Sequence, residues 1–216
     1  MELFTYWRSS AAYRLRIALN LKNLSWEEHF VHLVKDGGQQ NLPNYAAINS
    51  QRLVPSLKTD DENILTQSLA ILEYLEETYP KPAILPTAPI ERARIRAFAQ
   101  AIACEIHPVN NLRVLKYLVT NLKVDETQKM AWYHHWIHEG FKALESQLQE
   151  STNDFKCCFG DTPTLADICL VPQMYNARRF ELDLSPYPRL VEIDKYLTSL
   201  PAFQNAAPEA QKDAEI

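Results

Sequence analysis

Glycine is scarce in this chain: 216 residues contain four, Gly37, Gly38, Gly140 and Gly160. A P-loop or a G-x-G-x-x-G turn cannot be written with them, which excludes the usual ATP and dinucleotide enzymes. An excess of basic charge is also missing. Lys and Arg number 22 against 27 Asp and Glu, a formal net charge of -5, so there is no electropositive footprint for nucleic acid or for an anionic membrane surface. No apolar run approaches the ~20 residues of a membrane span. The opening MELFTYWRSS lacks the basic-then-apolar order of a secretory signal. The expectation is a cytoplasmic protein with no membrane and no nucleic-acid partner. Its four cysteines, Cys104, Cys157, Cys158 and Cys169, form no C-x-x-C and no zinc spacing. Adjacent Cys157 and Cys158 are badly placed to bridge each other, so the four are expected to be reduced and mostly to serve packing.

What is present is an ordinary globular composition, 46% hydrophobic and 23% charged, long enough for one large core or two smaller ones. Leu3, Phe4 and Tyr6 predict a short strand. From Ser10, the apolar positions Ala11, Leu15, Ala18 and Leu19 share one face of a helix to about Lys22. Trp26 to His32 reads as a second strand, DGGQ as a turn and Tyr45 to Ile48 as a short helix. Val54 to Lys58 and Ile64 to Thr66 look like two strands joined by Asp60-Asp61-Glu62. A helix starts at Ser68, with Leu69, Leu72, Leu75 and Tyr79 as its buried stripe.

Prolines 80, 82, 86 and 89 then stop that helix and space it from the next. Beyond them only helical patterns occur. Ile95, Phe98, Ala99, Ile102 and Ile106 make one face; Trp136, Phe141, Leu144 and Leu148 another; Ala166, Cys169, Leu170 and Ala177 a third; Ile193, Leu197 and Leu200 a last one. The expected architecture is α+β in residues 1–81, a linker over 82–89, and an all-α domain over 90–216.

Three short motifs carry candidate chemistry. Arg8-Ser9-Ser10 sits where a strand hands over to a helix. A Ser there is an ordinary N-cap, and the same helix start also favours an anion through unpaired N–H groups and the dipole. Val54-Pro55-Ser56 opens a strand, and a cis bond there would leave the Val54 backbone free to pair with an extended peptide ligand. Gln67-Ser68 opens another helix and offers an amide, a hydroxyl and free N–H groups, a pocket for a carboxylate. Each motif is weak singly; their order within eighty residues is specific.

The stretches SSAAYRLRIALNLK, KDGGQQ, VPSL and QSLAILEYLEE, with GDTPTLADICLVPQ, NARRF and LSPYP in the second half, make the chain resemble zeta-class glutathione transferases. That family includes maleylacetoacetate and maleylpyruvate isomerases. The resemblance spans nearly the whole chain. It implies a thioredoxin-like N-terminal domain binding glutathione, an all-α C-terminal domain holding the second substrate, and a homodimer. It implies that Ser9 faces the glutathione sulfur with Ser10 beside it, that the Val54 backbone, next to Pro55, contacts the cysteinyl part, and that Gln67 and Ser68 hold the γ-glutamyl carboxylate. Many relatives carry Cys after the two serines, where this chain has Ala11, so a mechanism needing that thiol is in doubt.

The activity so implied is glutathione-dependent cis-trans isomerisation of a small-molecule maleyl keto acid in aromatic catabolism. A general glutathione transferase or a dehalogenating enzyme is the alternative within the family, and a non-catalytic assembly module the alternative outside catalysis. Arg8, Arg113 and Arg179, with His107 and Asn111, are the candidates for substrate carboxylates and for negative charge developing on a conjugated carbonyl. His107 and Asn111 lie four apart, on one face of a helix kinked by Pro108; a backbone-bonded histidine is the competing role for His107. Arg178 reads as a solvated helix charge, Asp167 as the capping partner of Thr164, and Tyr13, Trp132 and Trp136 as packing. His134 and His138 have a clamp's spacing but no third ligand, which favours a solvated helix face over a metal.

Overall fold

The computed structural model describes residues 1–150 and 155–215. In chain order its elements are β1 (Glu2–Thr5), α1 (Ser10–Leu21), β2 (Glu27–Phe30), α2 (Pro43–Ile48), β3 (Ser56–Lys58), β4 (Ile64–Thr66), α3 (Ser68–Thr78) and α4 (Pro89–Gln100). A π-helical stretch, Ala101–Ile106, leads into α5 (His107–Val109), α6 (Leu112–Thr120), α7 (Glu126–Gln149), α8 (Leu165–Arg179), α9 (Pro188–Leu197) and α10 (Pro201–Ala206). The chain divides into two compact units: Met1–Ile84 together with Ser199–Ile216, and Leu85–Thr198.

The first unit is built on one sheet in the order β2-β1-β3-β4. β1 and β2 run parallel; the β1/β3 and β3/β4 pairs are antiparallel. The β1-α1-β2 crossover needs a helix of the length that the Ser10 periodicity predicts. Leu3 and Leu57, paired across the sheet, are fully buried with Leu15, Ala18 and Leu19 of α1. α3 contributes Ile71, Leu72 and Leu75 to the core. Its stripe is therefore shifted from the expected one, since Leu69 and Tyr79 are only half buried.

α10 packs on α1, with Phe203 and Ala206 fully buried. The sequence placed all of 90–216 in the helical domain, whereas Ser199–Ile216 returns to the first unit. The residues after α3 are also tied down. Lys22 pairs with Glu76 at 2.7 Å and donates to the carbonyls of Tyr79 and Pro82 at 2.7 and 2.9 Å. Glu76 also accepts the Ile84 N–H. With both charges buried and partnered, removing either would strand the other at a cost of about 3–5 kcal/mol.

In the second unit, Ile95, Phe98, Ala99, Ile102 and Ile106 are all buried, as their spacing predicts. α8 is buried nearly all round from Leu165 to Met174. Gly140 in α7 is there for close approach, because a Cβ at that position would lie 2.2 Å from Ile106 Cδ1. Asp167 starts α8: it accepts the Thr164 N–H and hydroxyl at 2.7 and 2.8 Å and the Cys158 N–H at 2.8 Å. Its role in folding matches the capping expectation and extends it to the turn before α8. No described helix is long and apolar enough to cross a membrane.

Candidate functional site

Register brings the three N-terminal motifs together. Phe4 pairs with Ser56, and Ser56 with Thr66. β1 runs toward that row, β3 away from it and β4 toward it. The segments just beyond are therefore Tyr6 to Ser10, Val54-Pro55 and Gln67-Ser68, all at one end of the sheet. What was an order of motifs in sequence is one edge in space.

Ser9 is the N-cap of α1, with extended backbone, and its Oγ accepts the Ala12 N–H at 3.2 Å. Capping uses the oxygen and leaves the hydroxyl proton as a donor, so the two roles weighed for Ser9 do not compete. Ser10, the first residue of α1, is buried. Arg8 lays its guanidinium over the Trp7 ring, 4.4 Å from the centroid, and Nη2 reaches the Tyr6 hydroxyl at 3.4 Å.

The Val54-Pro55 bond is cis, and both flanks of it are held from α2 and its end. The Tyr45 hydroxyl donates to the Leu53 carbonyl at 2.6 Å and lies 2.9 Å from Ser56 Oγ. Asn49 Nδ2 reaches the same two groups at 2.8 and 3.2 Å. Burial raises the Tyr45 phenol above its ordinary pKa, so it stays protonated as a donor. Gln67 has a left-handed backbone, φ 68°, and its exposed side chain donates to Gln51 Oε1 at 2.8 Å. Ser68 is buried, and its Oγ accepts from Arg14 Nη1 at 3.2 Å. Like Ser9, it takes a hydrogen bond from the protein and keeps a proton to donate.

Sequence reasoning missed Arg14 and Arg16. Both are buried in α1, at 2% and 1% exposure. Arg16 donates to the carbonyls of Trp7 at 2.9 Å, Tyr6 at 3.3 Å and Ala206 at 3.0 Å, and to Thr5 Oγ1 at 3.2 Å. Burial lowers its pKa to about 10, with the Asp213 charge acting the other way; it remains cationic at neutral pH. The signal available was two arginines two apart inside an otherwise apolar helical run, where a solvated face allows only one.

The second-unit candidates gather around one stretch of α7. His107 starts the three-residue α5, with Pro108 in its first turn, and the chain leaves the helix at Asn110 (φ -103°, ψ 8°). Asn111 has extended backbone and is the N-cap of α6, accepting the Arg113 N–H at 3.1 Å. This corrects the expectation that His107 and Asn111 share a helix face: they belong to different helices. Trp132 Nε1 donates to the Val109 carbonyl and Asn110 Nδ2 to the Tyr133 carbonyl, each at 3.0 Å. The Phe180 ring lies 4.1 Å from that of Tyr133, and its carbonyl is 2.7 Å from His134 Nε2. Trp132 to His134 thus anchors the His107–Arg113 segment on one side and the end of α8 on the other.

Arg113 and Arg179 are exposed; the Arg179 guanidinium sits 4.9 Å from the centroid of the Phe180 ring. Arg178 is exposed, as expected of a helix charge, and it also pairs at 2.5 Å with Asp194, which is buried. His138 Nδ1 meets the Tyr187 hydroxyl at 2.7 Å, so neither histidine of the supposed clamp is a bare solvated side chain. Cys157, Cys158 and Cys169 are buried, in line with a mostly packing role, and Cys104 is exposed.

Residues 3–83 match the family model for the glutathione S-transferase N-terminal domain. The chain is 50% identical to a probable maleylacetoacetate isomerase of Vibrio cholerae, over 98% of this chain and 97% of that one. Among solved structures it superimposes at a TM-score of 0.96 on holo maleyl pyruvate isomerase, described as a bacterial zeta-class glutathione S-transferase, with 46% identity and 100% of both chains covered. A maleylacetoacetate isomerase from Methylobacterium extorquens AM1, solved with malonate and GSH bound, gives a TM-score of 0.95 and 38% identity, again covering 100% of both chains. An N-terminal unit with this sheet, three donor-bearing loops at one sheet end and full-length likeness at these identities have one common explanation: the chain belongs to the glutathione transferase family, among the zeta-class maleylacetoacetate and maleylpyruvate isomerases.

Proposed function

We propose that the protein is a glutathione-dependent isomerase that converts maleylacetoacetate, or a related maleyl keto acid, to its fumaryl isomer. The observation that carries this reading is the Ser9 hydroxyl, its oxygen satisfied by the Ala12 N–H and its proton left to donate, at a helix start. Glutathione, when bound, supplies a thiolate that adds reversibly to the cis double bond, permits rotation and leaves the trans isomer.

The residues present fit that molecule. A free thiol of pKa about 8.5 is mostly protonated at neutral pH; Ser9 donating to sulfur and the start of α1 both favour the anion. Ser10 adds a second hydroxyl at the same helix start. The Val54 backbone, with Pro55 shaping it, supports pairing with the cysteinyl peptide unit. Ser68, Gln67 and the α3 N-terminus supply donors for the γ-glutamyl carboxylate. Arg179, with Arg8 and Arg113, would hold the substrate carboxylates and stabilise charge on the conjugated carbonyl; His107 and Asn111 add polar contacts. A cytoplasmic homodimer completes the proposal, the dimer to be checked by sedimentation.

Isomerisation of both maleyl substrates, followed spectrophotometrically with and without glutathione, tests it. Turnover is expected only with glutathione. Ser9→Ala is expected to lower kcat by about 10²-fold, the usual cost of one preorganised donor, and to raise the apparent pKa of the bound thiol while leaving the glutathione Kd nearly unchanged. Parental turnover and parental thiol titration in that variant would remove Ser9 from the mechanism.

A further inference from the structure

The segment between β1 and α1 has no regular backbone partners, because the strand ends at Thr5 and the helix begins at Ser10. Several of its backbone groups find partners elsewhere. Ser9 N–H donates to the Tyr6 carbonyl at 3.0 Å, and Arg16 takes the Tyr6 and Trp7 carbonyls. The Trp7 N–H donates to Asp213 Oδ2 at 3.0 Å, from a residue near the far end of the chain. The Trp7 residue is thus gripped at its carbonyl by Arg16 and at its amide by Asp213, two residues before Ser9.

The tail that delivers Asp213 follows a defined path. Gln211 Nε2 donates to the carbonyls of Asn205 and Ala207, Lys212 pairs with Glu28 at 2.8 Å, and Glu215 pairs with Lys35. Ala214 packs on the cluster of Phe4, Tyr6, Trp7, Val31, Tyr45 and Val54. Among the described residues, Oδ1 of Asp213 is buried without a partner. A carboxylate so placed is unfavourable unless its other contacts compensate; these are the Trp7 amide, with its own backbone N–H and the charge of Arg16 in support.

We propose that Asp213 is a positioning residue for the reaction, its carboxylate fixing the Trp7–Ser9 turn so that the Ser9 hydroxyl is aimed at the glutathione sulfur; this rests on the reading of Ser9 above. It touches neither glutathione nor substrate and acts through the Trp7 amide.

Asp213→Ala is expected to lower kcat for isomerisation about tenfold, the loss of one charge-assisted hydrogen bond. Asp213→Asn keeps an oxygen acceptor of the same reach and is expected to restore kcat to within about twofold of the parent. Asp213→Glu keeps the charge but displaces the oxygens, and is expected to follow the Ala variant. Parental kcat in the Ala or Glu variant overturns the proposal, even where the melting temperature falls, as a purely structural tie would have it. Equal losses in the Ala and Asn variants overturn it too, because charge and not the acceptor would then carry the effect. Ser9→Ala measured alongside separates the two readings. If it is silent, the role of Ser9 fails; if it is impaired while Asp213→Ala is not, only the role of Asp213 fails.

Discussion

Two pairs of arginines, one in each unit, are used in opposite ways. In the first, Arg14 and Arg16 are buried and turned onto the protein itself: a serine hydroxyl at the start of α3, and the carbonyls of the β1-α1 turn and α10. In the second, Arg113 and Arg179 are exposed, and the Arg179 guanidinium lies 4.9 Å from the Phe180 ring centroid. A buried guanidinium turned onto protein groups shapes the loops it holds. An exposed one keeps its donors for a ligand. Under the proposed function, the buried pair suits a molecule held in a fixed pose, and the exposed pair suits acids whose length varies.

The sharpest way to break this contrast is at Arg16. Arg16→Leu fills much of the space but takes the guanidinium from the Trp7 and Ala206 carbonyls, while the Tyr6 carbonyl keeps the Ser9 N–H. A loss of about 3–5 kcal/mol in unfolding free energy is expected, the usual cost of unpartnering a buried charged network. Urea denaturation measures it. A loss below about 1 kcal/mol would mean that water replaces the guanidinium and that the turn is not built around it.

How far the sequence reaches is itself divided along the same line. Ser9, the Val54-Pro55 pair and Gln67-Ser68 were legible because each is a local signal at an element boundary, and local signals survive without tertiary information. Their convergence needed the β1/β3/β4 register, which a count of residues does not supply. Arg16 and Asp213 were not legible, because their partners lie far along the chain: Ala206 is 190 residues from Arg16, and Trp7 is 206 from Asp213. The same holds for α10, whose return to the first unit no periodicity can announce. The His107–Asn111 segment is different, since the correct signal was there. Asn is a poor interior residue and a good N-cap, and Pro is at home in a first helical turn. A helix that stops at Asn110 and restarts from Asn111 follows from those preferences, and the four-residue spacing concealed it.

A milder test sits in the second unit. Arg179→Lys keeps the charge but loses the planar fork, so bidentate grip on a carboxylate goes while the fold does not depend on it. The expected result is a fall of about tenfold in kcat/KM for isomerisation, a smaller fall for conjugation of an uncharged electrophile, and an unfolding midpoint unchanged within error. Parallel losses in both reactions, or a drop in stability, would put Arg179 in the same scaffold class as Arg16 and erase the contrast between the units.

The smallest effect is expected from the cysteines, all four of which lie in the second unit. The proposed sulfur chemistry leans on Ser9 in the first unit, where the position after the two serines is Ala11. Burial raises the Cys157 thiol to about 12, with Asp167 and Asp161 adding to the shift. Cys158, beside the Asp167 carboxylate, is pushed well above the ordinary thiol value, again by burial first. At pH 8 neither supplies a useful fraction of thiolate, and only thiolate attacks an electrophile. Cys169 is buried in α8, while Cys104 is exposed. Iodoacetamide at pH 8 is therefore expected to label Cys104 and leave the other three intact in the folded protein, as mass spectrometry of peptides would read. Glutathione-dependent isomerisation should be the same before and after labelling, and a variant with all four replaced by Ala or Ser should keep close to the parental rate. Turnover by the parent without glutathione, lost on labelling or in that variant, would place the nucleophile in the second unit and reverse the division of labour between the two.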